Sequence, residues 1–426
     1  MTSNRRSLTK EEIIQKGLAI DTGLCTMCGL CVAVCPVSAL SFIQTGTELS
    51  LSFGQGCNDC GLCYKVCPGR DIPLRDLDKF VFGREREAKK EILGIKSACY
   101  QANATDPEIR ARGASGGVVT ALLVYALEKK RISSATGVAF EKEHPWKAKP
   151  VLATSREEII DAANSKYIIV PINTALKELG DGKVSGKVGC VGLPCQVHGL
   201  RKLQYHYPQH RLSKQISFII GVHCGRNRPM AQTEYLLKKD LGIKSFDEIK
   251  KLSYRTGKAP NVCAEVIKTN GEVKRVGKHE WGGGVTSIAG RGRCMLCWDW
   301  SAELSDVSVG DFFGPAASNS EVHLGASTVI VRTEIGEQLV REAVDAGYLK
   351  IYPTPVEPVI HSFGLMIKKL GCASALMAFR KFGWPCPDYQ YQVEPMAPLD
   401  RASLSSKASI EERERLWAQR GIHALS

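Results

Sequence analysis

Two runs of cysteines near the amino terminus constrain this chain more than any other feature. Each run spaces its first three cysteines at two consecutive x-x intervals and places a fourth after three further residues, followed by proline. The runs are Cys25, Cys28, Cys31 and Cys35, then Cys57, Cys60, Cys63 and Cys67. In such a run three thiolates hold three corners of a 4Fe–4S cubane, and the fourth ligates the other cluster. The spacing therefore predicts a two-cluster ferredoxin module, which moves single electrons.

The crossed ligation divides the eight cysteines into two sets. The first ferredoxin set is Cys25, Cys28, Cys31 and Cys67; the second ferredoxin set is Cys35, Cys57, Cys60 and Cys63. Zinc knuckles and disulfides are the alternatives. Zinc sites rarely use three cysteines at two consecutive x-x spacings, so the doubled run favours iron–sulfur clusters.

Length and composition indicate a soluble, multidomain protein. A chain of 426 residues is too long for one compact core, and its 17 cysteines favour metal ligation over disulfides. We find neither a long apolar run nor the apolar region of a signal peptide, so we expect a cytoplasmic protein without a membrane span. The formal charge of +13 favours an anionic partner, but no motif points to nucleic acid.

The chain divides into four predicted regions. Residues 1–70 hold the ferredoxin module, residues 71–97 a charged linker with one amphipathic helix and a solvated face, and residues 386–426 a polar tail. We predict a lead-in helix before residue 24 and a charged helix over 411–419. Between them, residues 98–385 alternate helix and strand patterns. The fold class is therefore mixed α/β (α+β), with a ferredoxin-like domain followed by a larger domain.

Periodicity places the main elements of the larger domain. A helix is expected after residues 115–117, and another over 335–346. Strands are expected over 135–140, 149–153, 188–191, 216–222 and 328–332, with a hairpin over 263–276. Ser155 and Glu158 fit a capping box, which has reciprocal hydrogen bonds at the start of a helix.

Four further cysteines form a possible third site, here called the third set: Cys195, Cys224, Cys294 and Cys297. Two of them follow predicted strands, and strand-end loops of one sheet commonly converge on one edge. The other two form a Cys-x-x-Cys pair. By spacing alone a zinc site and a third cubane are equally compatible with these ligands, and the neighbouring ferredoxin module favours the cubane.

A glycine-rich turn at residues 113–117 immediately precedes a helix. Backbone N–H groups and the helix dipole at such a turn can hold a phosphate, although glycine there is as often only a turn. One-electron centres need a converter to react with hydride, and flavin is the usual one. Since no Gly-x-Gly-x-x-Gly fingerprint occurs, we expect a pocket outside the Rossmann class. Lys166 and Tyr167 could serve that pocket, or could simply join a helix to a strand.

Taken together, these motifs resemble the coenzyme F-420 hydrogenase/dehydrogenase beta-subunit family over residues 25–365. The motifs in question are residues 115–120, Ser165-Lys166-Tyr167, residues 192–196, His223-Cys224 and Cys294-x-x-Cys297. The resemblance implies FAD beside an iron–sulfur cluster held by the third set. The FAD-binding residues it implies are Ser115, Gly116, Gly117, Val118, Thr120, Ser165, Lys166, Tyr167, Gly192, Pro194 and Gln196.

The resulting hypothesis is an FAD- and iron–sulfur-dependent oxidoreductase. It would exchange hydride with an organic coenzyme of the deazaflavin F-420 type and relay single electrons through three 4Fe–4S clusters. The partner would be a redox protein or subunit such as a ferredoxin, hydrogenase, dehydrogenase or reductase. The alternatives are a ferredoxin-dependent reductase of an organic substrate, and an electron-transfer subunit without a substrate of its own.

Overall fold

The computed structural model describes residues 22–88, 90–182, 184–257, 262–281, 290–312, 325–360 and 363–391. The predicted lead-in helix and the predicted helix over 411–419 lie outside the described residues. Where the structure does describe a predicted strand or helix of the larger domain, its bounds agree with the sequence-based expectation to within one residue at either end.

The strands are, in chain order, β1 Leu40–Thr45, β2 Glu48–Phe53, β3 Ala98–Ala104, β4 Ser134–Phe140, β5 Ala148–Ala153, β6 Val188–Gly192, β7 Ile216–Val222, β8 Ile249–Thr256, β9 Cys263–Lys268, β10 Val273–Gly277, β11 Val307–Asp311, β12 Ser327–Val331 and β13 Leu349–Pro353.

The α-helices are α1 Leu30–Ala33, α2 Leu62–Lys65, α3 Leu74–Phe82, α4 Pro107–Arg112, α5 Val118–Glu128, α6 Arg156–Asp161, α7 Lys177–Gly180, α8 Pro194–His206, α9 Arg211–Gln215, α10 Met230–Tyr235, α11 Lys278–Trp281, α12 Gly292–Met295, α13 Glu334–Asp345, α14 Glu357–Ile360 and α15 Phe363–Lys381. Two 3-10 helices, Ile172–Leu176 and Phe246–Glu248, and a π-helical turn, Leu236–Asp240, complete the set.

An eight-stranded sheet forms the centre of the larger domain, in the order β13-β3-β12-β11-β7-β6-β4-β5. Strands β4, β6, β7 and β11 run parallel to their neighbours in the middle of the sheet, whereas the flanking pairs are antiparallel. Because the carboxyl ends of the parallel strands share one edge, the loops after β6 and β7 lie side by side. This edge is where the candidate site lies.

A smaller antiparallel sheet, in the order β10-β9-β8, packs its own apolar cluster beside the main sheet. Tyr254 of β8 is buried in that cluster, and Tyr167 and Trp281 pack against its ring. Residues 164–168 therefore lie between the two sheets, where they form one wall of the site described below.

The ferredoxin-like region shares its core with the larger domain. Its hairpin pairs β1 with β2, and Leu30 of α1 and Val66 at the end of α2 join the same apolar cluster as Val197 and Leu200 of α8. Gly29 lies so close to the larger domain that a Cβ there would be 2.5 Å from the Pro171 carbonyl oxygen. The module is thus docked rather than tethered; the division of the chain into four regions stays a prediction.

The segment predicted to be a solvated linker is instead anchored by buried charges. Arg86 is almost fully buried and donates to Asp78 of α3 at 2.6 Å and to Glu303. The other carboxylate oxygen of Glu303 accepts from Lys369 of α15. The expectation of a solvated face was wrong because local sequence shows the charges but not the partner more than 200 residues away.

Local caps largely follow the sequence. The predicted capping box is half correct: Ser155 Oγ accepts from the Glu158 N–H at 3.2 Å, but the Glu158 carboxylate accepts from Thr154 instead of reaching back to Ser155.

The mixed α/β class with a ferredoxin-like amino-terminal region is confirmed. Within the part of the chain that the structure describes, no helix has the length and apolar character needed to span a bilayer.

We predict that Glu303→Gln destabilises the protein by about 3–5 kcal/mol, because it leaves Lys369 and Arg86 buried with less opposing charge. The matched control is Glu87→Gln, whose pair with Lys90 is exposed and which should cost less than about 1 kcal/mol. Denaturant midpoints of the holoprotein measure both. Equal, small losses would contradict the assignment of a buried charge network.

Candidate cofactor cavity and cysteine sites

A cavity of about 440 Å³ opens at the carboxyl edge of the parallel strands. This central cavity falls in the size range of small-molecule and cofactor sites. It is bounded by the glycine turn and the first turn of α5, by residues 162–168, by the loops after β6 and β7, and by the carboxyl end of β11. The three motif segments singled out in the sequence therefore meet at one place.

The glycine turn is held against the sheet by hydrogen bonds to Ser327. Gly116 N–H donates to Ser327 Oγ at 3.0 Å, and Ser115 Oγ lies 2.8 Å from the same oxygen. Gly117, with φ +76°, then begins α5. The first N–H groups of a helix have no intrahelical partner. Since residues 117–120 line the cavity, this positive helix end faces it.

Lys166 and Tyr167 form the opposite wall. Lys166 Nζ donates to the carbonyl oxygen of Ala162 at 2.7 Å and also to that of Ala163. Burial lowers the pKa of Lys166 to about 7, while Asp161 opposes part of that shift. The amine can therefore change charge near neutral pH inside the cavity, which matters for any anionic ligand.

His223 lines the central cavity with a buried imidazole ring. Its ring packs on Trp300 with centroids 4.5 Å apart, and neither ring nitrogen has a hydrogen-bond partner among the described residues. Burial lowers its pKa to about 3. Gly310 leaves room for the ring, since a Cβ there would lie 2.0 Å from His223 Nδ1. Buried polar atoms without partners are costly, so a ligand that pairs with them would be favoured.

Arg255 adds a cation at the floor of the cavity. Its Nη1 donates to both carboxylate oxygens of Asp311, at 2.8 and 3.0 Å, and its Nε has no partner within the described part of the chain. Asn164 Nδ2 donates to the Arg255 carbonyl oxygen at 2.9 Å, which joins this floor to the Lys166 wall. The cavity therefore offers cations, aromatic rings and a helix amino terminus.

The third set of cysteines converges on a second, smaller cavity directly behind the first. All four of its thiols line that cavity, Cys195 from the start of α8, Cys224 from the loop after β7, and the other two from around α12. The expectation that strand-end loops would bring them together agrees with this placement. Leu193, Cys224 and Asn227 border both cavities, so a single layer of residues separates them.

Cationic groups surround the third set. Arg291, Arg293 and Lys368 line its cavity, and the one lining carboxylate, Asp299, is paired with His198 at 2.9 Å. Burial opposes the charge on Lys368, but the Cys297 and Cys224 thiols beside it raise its pKa above the usual range. The site thus has an excess of positive charge, as an anionic metal–thiolate group requires.

The two ferredoxin sets also gather as predicted. Each set lines a separate small cavity, closed by Phe42 and Leu51 around the first set and by Leu40 and Phe53 around the second. Burial raises the pKa of the Cys28 and Cys63 thiols to about 12, and neighbouring thiols of their own sets add to the rise. Thiolates at such positions need a bound cation, which the iron of a cluster supplies.

Residues that line two cavities at once connect the central cavity to the third-set cavity, and the third-set cavity to that of the first ferredoxin set. Thr26 borders both the third-set cavity and that of the first ferredoxin set, and Arg291 of the former donates to the Cys25 carbonyl oxygen at 2.7 Å. The second ferredoxin set lies at the far end, where Cys60 is exposed. Among the described residues, no group of three or more His, Cys, Asp or Glu side chains has the geometry of a single-ion site.

Most sequence-predicted cofactor residues line the central cavity: Ser115, Gly117, Val118, Thr120, Ser165, Lys166, Tyr167, Gly192 and Gln196. Two do not. Gly116 lies behind the wall, where a Cβ would be 2.5 Å from the Ala102 carbonyl oxygen, and its N–H is already used by Ser327. Pro194 faces the third-set cavity instead. Direct cofactor contacts by Gly116 and Pro194 are therefore not supported.

Sequence reasoning missed several lining residues: His223, Arg255, Trp300, Asp311 and Lys368. The position of His223 next to Cys224 could have indicated it, and Trp300 follows Cys297 closely. Arg255 and Lys368 carried no local signal, because each reaches its site from an element distant in sequence.

Comparisons with known proteins agree with this arrangement. Family models described as coenzyme F-420 hydrogenase/dehydrogenase beta subunit match residues 99–177 (N-term) and 185–356 (C terminus), and a 4Fe-4S binding domain model matches residues 18–41. The chain is 31% identical over 303 residues to the coenzyme F-420 hydrogenase subunit beta of Methanothermobacter thermautotrophicus, covering 70% of this chain and 99% of that protein.

Two further relatives broaden the comparison. A coenzyme F-420-dependent sulfite reductase of Methanocaldococcus jannaschii is 30% identical over 75% of this chain, which spans 46% of that longer protein. Among solved structures, the F-420-reducing nickel–iron hydrogenase complex from Methanosarcina barkeri contains a chain that matches with a TM-score of 0.55 and 28% identity, over 69% of this chain and 94% of that one.

We predict that Lys166→Met becomes more stable relative to the wild type as the pH falls from about 10 to 7. The folded-state pKa of Lys166 lies near 7, below its usual 10.5, so between these values the unfolded chain binds more protons and low pH favours unfolding. Methionine cannot bind a proton, so the variant lacks this pH-dependent loss of stability. Denaturant midpoints at pH 7 and 9.5 measure it, with the exposed Lys149→Met as control; a difference independent of pH would contradict the buried, titrating lysine.

Proposed function

The chain belongs to the coenzyme F-420 hydrogenase/dehydrogenase beta-subunit family, and from this premise we propose that it is an iron–sulfur flavoprotein oxidoreductase. It exchanges hydride with an organic coenzyme of the deazaflavin F-420 type and relays single electrons through three 4Fe–4S clusters. The observation that carries the proposal is the wall of Leu193, Cys224 and Asn227, which the central cavity shares with the third cysteine set.

The residues of the central cavity fit FAD. The start of α5 and the side chains of Ser115 and Thr120 suit a pyrophosphate, since the first N–H groups of the helix face the cavity. Lys166 supplies a positive charge at and below neutral pH, and Tyr167 and Trp300 supply ring surface. FAD, when bound, supplies the chemistry that converts a hydride into two single electrons.

The protein groups have defined tasks in this proposal. His223 and Arg255 offer unpartnered buried nitrogens that orient a polar ring edge. The amide of Gln196 already spans the Leu193 N–H, from which it accepts at 2.7 Å, and the Val170 carbonyl oxygen, to which it donates at 3.0 Å. These two contacts fix the loop that separates the cavity from Cys195.

The order of cysteine sets gives the path of electrons. They pass between the central cavity and the third set, then the first ferredoxin set, then the second, where exposed Cys60 meets a partner. The partner is a redox protein or another subunit. One relative is named as a hydrogenase subunit, and the matching solved chain is part of a hydrogenase complex. We place this reaction in the cytoplasm.

The same path run inward describes the second candidate, a ferredoxin-dependent reductase. The sulfite reductase relative, whose length exceeds the matched region twofold, fits the outward direction of the first candidate instead, since its name makes coenzyme F-420 the electron donor. A subunit that only conducts electrons is the third candidate, and it would not need the ligand-sized central cavity.

We predict about twelve irons and one FAD per chain in the anaerobically purified protein, because twelve thiolates form three sets of four. Iron, acid-labile sulfide and flavin analysis measure this. About eight irons with one zinc would instead assign the third set to a structural metal, and absence of flavin would remove the hydride site.

We further predict that Cys60→Ser separates the inner from the outer half of the path. With the reduced deazaflavin coenzyme as donor, flavin bleaching and reduction of the inner clusters should keep their wild-type rates, while reduction of an added ferredoxin falls at least about tenfold. Stopped-flow absorbance follows both steps. Cys263→Ser, outside all three sets, serves as the control; undiminished ferredoxin reduction in Cys60→Ser would place the exit elsewhere.

A further inference from the structure

Helix α15 brings a buried lysine to the third set from outside the region that the family models match. Those models end at residue 356, whereas Lys368 lies in the Phe363–Lys381 helix. Lys368 is only 8% exposed and lines the third-set cavity. Its Nζ donates to the Gly225 carbonyl oxygen at 2.7 Å and to the Cys294 carbonyl oxygen at 3.1 Å, so it is fixed between the loops that carry two of the four cysteines.

Lys368 differs in its partners from Lys202 and Lys369, the two lysines nearest to it in burial. Lys369 is paired with Glu303, and Lys202 is paired with Asp71. Across the described ranges, no carboxylate lies within ion-pair distance of Lys368. Arg293, which shares the cavity, is likewise buried, and it donates only to the Pro68 carbonyl oxygen and to Tyr389. An isolated buried cation is costly unless an anion offsets it.

The third set itself provides that anion. A cubane held by four thiolates carries net negative charge, and its charge becomes more negative by one on reduction. Burial by itself disfavours the more highly charged, reduced state. A fixed cation that touches the ligand loops offsets this penalty, and the offset is larger for the reduced state than for the oxidised one.

We propose that Lys368 raises the reduction potential of the third-set cluster and so keeps its reduced state accessible to the central cavity. The inference rests on the proposed function, because it takes the third set to hold a 4Fe–4S cluster. The step is the gain of one electron, from the flavin side or from the first ferredoxin set, and no bond or proton changes. Lys368 is thus a charge-compensating residue, not a catalytic one.

The second ferredoxin set has the opposite surroundings. Asp59 Oδ1 lies 3.6 Å from Cys57 Sγ, and the described residues that line this cavity include no cation. A carboxylate beside a cluster disfavours its reduced state. The effect of Lys368 on the reduction potential is therefore specific to the third-set cluster. Asp59→Asn, which removes a negative charge, should raise the reduction potential of the second ferredoxin cluster.

The test is a redox titration of the full-length holoprotein followed by electron paramagnetic resonance. The third-set signal is identified as the one that Cys195→Ser abolishes. In Lys368→Met we expect the midpoint of that signal to shift to lower potential while the other two clusters titrate as in the wild type. Lys368→Arg should restore the wild-type midpoint, and Lys381→Met, on the exposed end of the same helix, should leave all three unchanged.

Other outcomes separate the inference from the proposed function. A wild-type midpoint for the third-set signal in Lys368→Met, at full iron content, overturns the role of the lysine and leaves the relay intact. If Lys368→Met loses iron, Lys368→Gln, which keeps hydrogen-bond donors without the charge, decides in its place by the same criterion. A wild-type protein with about eight irons and no signal that depends on Cys195 overturns both.

Discussion

Helix α8 is the element on which the arrangement of every site depends. It begins directly after strand β6 and is buried along most of its length. Cys195 in its first turn belongs to the third set, and Gln196 beside it fixes the wall of the central cavity. One turn later, Gly199 faces the first ferredoxin set; a Cβ there would lie 3.3 Å from Leu30 Cδ2 and 3.6 Å from Cys28 Sγ. A further turn on, Lys202 donates to the Cys67 carbonyl oxygen at 2.7 Å.

This spacing follows from helix geometry. Residues three or four apart lie on one face, so a single rigid helix presents Cys195, Gly199 and Lys202 to neighbouring cysteine sets. The ferredoxin module can therefore share a hydrophobic core with the larger domain instead of moving on a tether. A fixed separation between redox centres is what single-electron relay requires, and a shared core provides it.

Buried charge is the second constraint, and it explains the basic character of the chain. The formal charge of +13 counts thiols as neutral, whereas each cluster of four thiolates would add negative charge. Several of the excess cations are buried at the third set and at its contact with the first ferredoxin set, among them Arg293 and Lys368. Other buried charges, such as Arg86 and Glu303, hold the connecting segment and the last helix in place.

The sequence by itself determined the features that short spacing encodes. Cysteines three positions apart lie within about one turn, so the three closely spaced members of each ferredoxin set could be read locally, and the start of α5 at the glycine turn and the strand bounds followed from periodicity. Only the tertiary structure decided which residues face the central cavity and which lie behind its wall. Gly116 lies behind the cavity while Gly117 lines it, and Lys368 reaches a cysteine set from a helix after the last strand. The reason is physical: contacts between distant segments depend on sheet order and on which buried charges find partners, and neither is encoded in the spacing of neighbouring residues.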